Sequence, residues 1–158
     1  MHSQTLAVAL CVLVATPLMA GEPPKPDVSK KDIDGIQGTW KLVALEADGE
    51  QGPTEIVSAL KFVFKGNTLT LMPGEPGFTN YTFKLDPTTK PANFDMTHAD
   101  GPRKGETEEG IYLLEGNHLR ICLGKAGNRP KAFATKAPSE NGMYTSGQGM
   151  YTLERETP

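Results

Sequence analysis

The sequence predicts an all-β protein, a closed antiparallel up-and-down barrel of about eight or nine strands with one short helix. Three observations lead there. From residue 38 onward, apolar residues recur with period two in short runs. The runs are separated by turn-forming residues, in a chain of 158 residues that holds 17 Gly and 13 Pro. The connections between consecutive runs are short enough for hairpins, and sequential hairpins favour a barrel over a sandwich because closure removes exposed strand edges. A hydrophobic content of 37% supplies one modest core.

Taken in order, residues 1–20 read as a secretory signal peptide. A polar start (His2, Ser3, Gln4) leads to an apolar run from Leu6 to Val14, then Pro17-Leu18-Met19-Ala20 before Gly21. The run is shorter than the roughly 20 residues of a membrane span. Export to the periplasm or the exterior is therefore expected, with no transmembrane span in the mature chain; the rival is an uncleaved anchor. Lipidation at Cys11 is disfavoured by the bulky Leu10 before it. Removing the signal leaves Cys122 alone, so packing rather than a disulfide must stabilise the mature chain. Residues 21–34 are rich in Pro and charge and read as a tether, and residues 35–158 as a single domain. Asp32 to Gln37 allows one helical turn whose Ile33 and Ile36 would cover one end of the core.

The domain opens at Gly38-Thr39-Trp40, where Trp40, Leu42 and Ala44 alternate with Lys41, Val43 and Leu45. Asp48-Gly49 turns the chain. Pro53 to Leu60 is the one helix, with Pro53 at its start and Ile56, Ala59 and Leu60 at helical spacing. Leu60, Phe62 and Phe64 then pair across Gly66-Asn67 with Leu69 and Leu71. Tyr81, Phe83 and Leu85 face Phe94 and Met96 across a Pro-rich loop. Residues 106–114, with Ile111 and Leu113 on the inner face, pair across Gly116-Asn117 with Leu119, Ile121 and Leu123. Both hairpins turn on Gly-Asn, which selection for turn chemistry explains more simply than duplication. Arg129 to Thr135 is expected to form a short strand, Lys136 to Gly142 a polar loop, and Gly149 to Arg155 the last strand.

Gly38-Thr39-Trp40 at the first strand and an Arg near the end of the last resemble the lipocalin superfamily pattern. In that family the Trp packs at the closed base of the barrel beneath the Arg. Here the resemblance implies a base pair of Trp40 and Arg155, which shares parity with Tyr151 and Leu153. Together with Lys61-Phe62-Val63-Phe64-Lys65-Gly66-Asn67, Phe83-Lys84-Leu85-Asp86-Pro87, Gly110-Ile111-Tyr112 and Leu119-Arg120-Ile121-Cys122, the chain resembles an uncharacterised lipocalin-like domain family best known from planctomycete bacteria. That resemblance implies a fold and an exported setting, and no established activity.

Chemical motifs are sparse. The net charge of −3, from 16 basic and 19 acidic residues, offers no basic face for nucleic acid. Asp95, His98 and Asp100 form the one tight polar cluster, but Asp95 should face solvent and Asp100-Gly101-Pro102 has the chemistry of a turn, so a solvated strand end is expected rather than a metal site. His118, just past a hairpin glycine, reads as a surface residue. Cys122 opposes the face of Leu119, Ile121 and Leu123 and reads as a small hydrophobe pointing outward or against a covering segment; Arg120 is its one local cation. Ser139 and Ser146 have no histidine near in sequence, and Ser146-Gly147-Gln148-Gly149 lacks the lysine of a phosphate loop. No enzyme, metal or cofactor is expected. Two functions remain. In the first, a small apolar or amphipathic molecule occupies a lumen lined by Phe62, Phe64, Phe83, Ile111 and Tyr151, with Trp40 at its floor. In the second, the barrel is filled and its outside meets another protein of the cell envelope.

Overall fold

A computed structural model describes residues 28–72, 79–124, 126–135 and 148–157. The expected signal peptide with Cys11, residues 21–27 of the expected tether and the loop at 136–147 with Ser139 and Ser146 lie outside the described residues. The elements run α1 (Val28–Ile36), β1 (Gly38–Ala47), β2 (Glu50–Gln51), α2 (Thr54–Ala59), β3 (Lys61–Lys65), β4 (Thr68–Met72), β5 (Thr79–Asp86), β6 (Ala92–His98), β7 (Thr107–Glu115), β8 (His118–Gly124) and β9 (Gly149–Arg155). From β3 each strand pairs antiparallel with the next in sequence. β1 takes β3 on one side and β9 on the other, which closes an eight-stranded up-and-down barrel. The two-residue β2 adds to the far end of β1. Among the described residues no helix is long and apolar enough to cross a membrane.

One end of this barrel carries α1 and the tight turns at Gly66 and Gly116, both with positive φ, where glycine relieves the clash a Cβ would cause. Here it is called the base. The opposite end carries the connection from β6 to β7 and is called the mouth. The core runs between them as Trp40, Leu42, Phe62, Phe64, Leu69, Phe83, Phe94, Met96, Ile121, Leu153 and their neighbours, all buried.

Five expectations change. α1 spans nine residues and begins at Val28, inside the stretch expected to be extended. So short a helix is marginal alone, and it is held because Ile36 is fully buried and Ile33 packs on the core. In α2 the apolar face is also different. Ile56 is 49% exposed, whereas Val57 and Leu60 pack against the core. In β1 the register shifts between Leu42 and Ala44. This bulge at Val43 reverses the parity beyond it, so Leu45, not Ala44, packs on the core and Val43 is exposed.

The other two changes are linked. Residues 129–135 form no strand; they belong to an irregular strap, residues 126–135, laid across the outside of the barrel. Its first anchor is Arg129, whose Nη1 donates to Gly110 O at 2.6 Å and whose Nη2 lies 2.7 Å from Asp95 Oδ1, an ion pair without hydrogen-bond alignment. At the other end Thr135 donates to the Glu46 carboxylate and accepts from Gly49 N at 2.8 Å. Between the anchors Pro130 is buried and the Phe133 ring lies 4.9 Å from the Arg120 guanidinium. The strap changes β7. Tyr112 belongs to the core and Leu114 packs on it, so these face inward, while Ile111 stands opposite Cys122 on the outer face. Ile111 and Cys122 are buried outside the central core. Ile111 is therefore not a lumen residue.

Candidate functional site

The base is built from β1, β9 and α1. Trp40 is fully buried, and its Nε1 donates to Ile36 O at 2.8 Å. Arg155 stands opposite Trp40 in the β1–β9 ladder, with its guanidinium 4.2 Å from the ring centroid. Its Nη1 donates to Gln37 O at 2.6 Å and its Nη2 to Gly35 O at 2.5 Å. One cation thus covers the indole face and satisfies carbonyls at the end of α1, where the helix dipole favours positive charge. Stacking of this kind contributes roughly 0.5 to 2 kcal/mol. An open groove of about 450 Å³ flanks the base, lined by Lys31, Asp32, Leu114, Asn117 and Arg155 among others. Nearby, the Tyr112 hydroxyl donates to Asp32.

In the middle of the barrel the expected lumen residues meet one another. Phe62 packs on Phe64 (centroids 6.5 Å apart) and on Tyr151 (5.5 Å), Phe64 on Phe83 (5.2 Å, edge-on), and Phe83 on Phe94 (5.9 Å, stacked). These spacings are those of contacting rings. Phe62, Phe64 and Phe83 are nearly fully buried.

The mouth holds a polar cluster that the sequence reading did not assemble. His98 and Tyr81 are each only 7% exposed and stand opposite one another across β5 and β6, with ring centroids 4.6 Å apart. His98 Nε2 lies 3.1 Å from Glu108 Oε1, and Arg103 Nη1, reaching over from the β6–β7 connection, lies 2.8 Å from the same oxygen. Arg103 Nε donates to Glu106 Oε2 at 2.9 Å. The missed signal was parity: His98 follows Phe94 and Met96 at intervals of two, so it points into the barrel, as Glu108 does with Gly110 and Tyr112. The three residues weighed as metal ligands diverge. Asp95 faces Arg129 outside, His98 faces Glu108 inside, and Asp100 accepts from the Asn80 side-chain amide at 2.8 Å. Among the described residues no group of three or more His, Cys, Asp or Glu could hold a metal ion.

Electrostatics in the mouth follow from burial. The Tyr81 phenol is pushed up by burial and then by Glu108, with Arg103 opposing. Tyr151 is pushed up to about 12 by burial first and then by Glu108 and Tyr81. Because the unfolded phenol ionises near 10.0, the folded state holds its proton over the window from about 10 to about 12. Stability from this group is thus complete below pH 10 and is lost as pH rises toward 12. A spectrophotometric titration at 295 nm, a wavelength at which tyrosinate absorbs, is expected to show a late tyrosine that Tyr151→Phe removes; an unchanged curve in that variant would refute the assignment. Cys122 is likewise pushed up by burial, with a smaller lowering from Arg120, and its Sγ lies 3.9 Å from Ala134 O under the strap. This thiol is poorly suited to act as a nucleophile.

Fold and geometry therefore define a class, a closed all-β barrel with an aromatic interior, a Trp–Arg base and a polar mouth. Comparison with protein-family models, curated proteins and solved structures finds no match to this chain.

Proposed function

We propose that this protein is an exported, lipocalin-like barrel whose lumen is filled by its own side chains, and that it serves as an interaction or structural module of the cell envelope. The observation that supports this reading is the run of contacting rings Tyr151, Phe62, Phe64, Phe83 and Phe94 through the barrel. A lumen ligand would have to displace those rings, and each contributes roughly 1.5 to 3 kcal/mol by its own burial. The two cavities described, of about 460 and 450 Å³, are lined by other residues. The lipocalin-like assignment rests on Gly38-Thr39-Trp40 with Arg155 over the indole.

Two measurements test the reading. A panel of fatty acids, sterols and other apolar molecules is expected to leave the melting temperature unchanged, and affinity capture from an envelope extract is expected to recover one protein reproducibly. A lipid retained in native mass spectrometry, or a melting temperature raised by an apolar compound, would instead favour the small-molecule reading with Phe62, Phe64, Phe83 and Tyr151 around the ligand.

A further inference from the structure

The strap, residues 126–135, follows one row of the outer sheet surface. Strand register sets Ile111 of β7 beside Cys122 of β8, Cys122 beside Met150 of β9, and Met150 beside Glu46 of β1. In the neighbouring row of the same face, Asp95 of β6 stands beside Glu109 of β7, and Glu109 beside Gly124 of β8. The strap is fixed at Asp95 and Glu109 near its start and at Glu46 at its end, and on the way Ala134 O comes within 3.9 Å of Cys122 Sγ. Beneath it Ile111 and Cys122 are only 1% and 0% exposed.

The cover is held far more loosely than what it covers. It contains no helix or strand, Pro130 is its one buried residue, and residues 126–128, 131, 132 and 134 are exposed. Among the described residues no backbone–backbone hydrogen bond ties it to the barrel. Polar contacts at its two ends hold it instead. Gly127 N donates to Glu109 Oε2 at 2.9 Å, Arg129 reaches Gly110 O, Asp95 and, at 3.6 Å, Glu109, and Thr135 donates to Glu46. The side chains of Arg129, Asp95 and Glu109 are 26%, 35% and 32% exposed, so water and salt reach this latch, and ion pairs of that kind are weak. Segments with few buried apolar contacts and solvent-exposed polar bonds open locally, well below the free energy of global unfolding.

We propose that the strap is a detachable cover: the Arg129 latch on Asp95 and Glu109 holds it down, and it lifts off as a unit while the barrel stays folded, opening the row of Ile111 and Cys122 to solvent. The barrel can stay folded because both residues lie outside the central core and their strands keep a ladder on each side. Gly124 supplies a separate handle on the same motion. A Cβ built there would lie 2.2 Å from Asn128 O and 3.2 Å from Pro130 Cδ, and its nearest neighbours all belong to the strap. Gly124 is not one of the glycines with positive φ, so its backbone accepts alanine, and the added methyl group pushes on the strap alone. The inference needs no second molecule and therefore stands or falls apart from the partner reading above.

The Cys122 thiol reports the open state, because a reagent reaches it only with the strap lifted. The full chain is labelled with N-ethylmaleimide and followed at Cys122 by peptide mass spectrometry, beside urea unfolding of the same samples. In the parent the labelling rate is expected to stay flat across the urea concentrations that precede unfolding, and to rise with added sodium chloride. Arg129→Ala is expected to label roughly tenfold faster, through loss of one charge-assisted bond and two exposed ion pairs, and to lose the salt response. Gly124→Ala is expected to label faster as well, with both variants unfolding near the parent's urea midpoint. The proposal is overturned if parent labelling climbs with urea in step with global unfolding, if the parent thiol reacts as fast as in the unfolded chain, or if either folded variant labels no faster than its shift in urea midpoint accounts for. Should a variant fail to fold, the urea profile of the parent still decides between local and global opening.

Discussion

Trp40→Ala is expected to lower stability by about 3 to 5 kcal/mol, as large-to-small substitutions of buried aromatic residues do. Total stability of a domain of this size is roughly 5 to 15 kcal/mol, so the loss would be a large share of it. Three consequences combine. The ring is fully buried, so its removal leaves a cavity. Its Nε1 is the donor to Ile36 O, and the carbonyl would be left to find water at a buried position. Arg155 would lose the surface on which it stacks while still reaching Gln37 O and Gly35 O. Urea unfolding followed by circular dichroism measures the change. A loss below about 1 kcal/mol would mean that the ring does not carry the base.

Phe83→Ala is expected to cost a similar amount, about 3 to 5 kcal/mol. Phe83 touches Phe64 on one side and Phe94 on the other, so its loss interrupts the run of rings at its centre. This variant also separates a filled barrel from a hollow one. In a filled barrel the substitution opens an apolar space that a small aromatic such as benzene can enter, so benzene should raise the melting temperature of the variant and leave the parent unchanged. If Phe83 bordered open space, truncation would cost little and benzene would act on both proteins alike.

Much of the architecture was legible because alternation and turn chemistry are local. Leu69 next to Gly66-Asn67, or Phe94 and Met96 after the Pro-rich loop, lie where period two and the turns put them. Trp40 and Arg155 were legible as a pair through the resemblance to the lipocalin pattern, and the structure sets them opposite one another where β1 and β9 meet at closure. The mouth was half legible: His98 carried its parity in the sequence, but its partners Tyr81, Glu108 and Arg103 come from other parts of the chain, and only strand register brings them together.

By itself, then, the sequence determined a barrel of sequential hairpins with an aromatic interior and Trp40 at one end. Tertiary structure decided which face of a strand is inside when both faces are apolar. Ile111 and Tyr112 are equally good core residues by composition; the strap held by Arg129 and Thr135 shelters Ile111 outside, so Tyr112 can take the interior. The bulge at Val43 made the same kind of choice for Leu45 over Ala44. Period two records alternation without fixing its phase, and the phase is set by whichever covering segment or bulge gives each apolar face something to bury against.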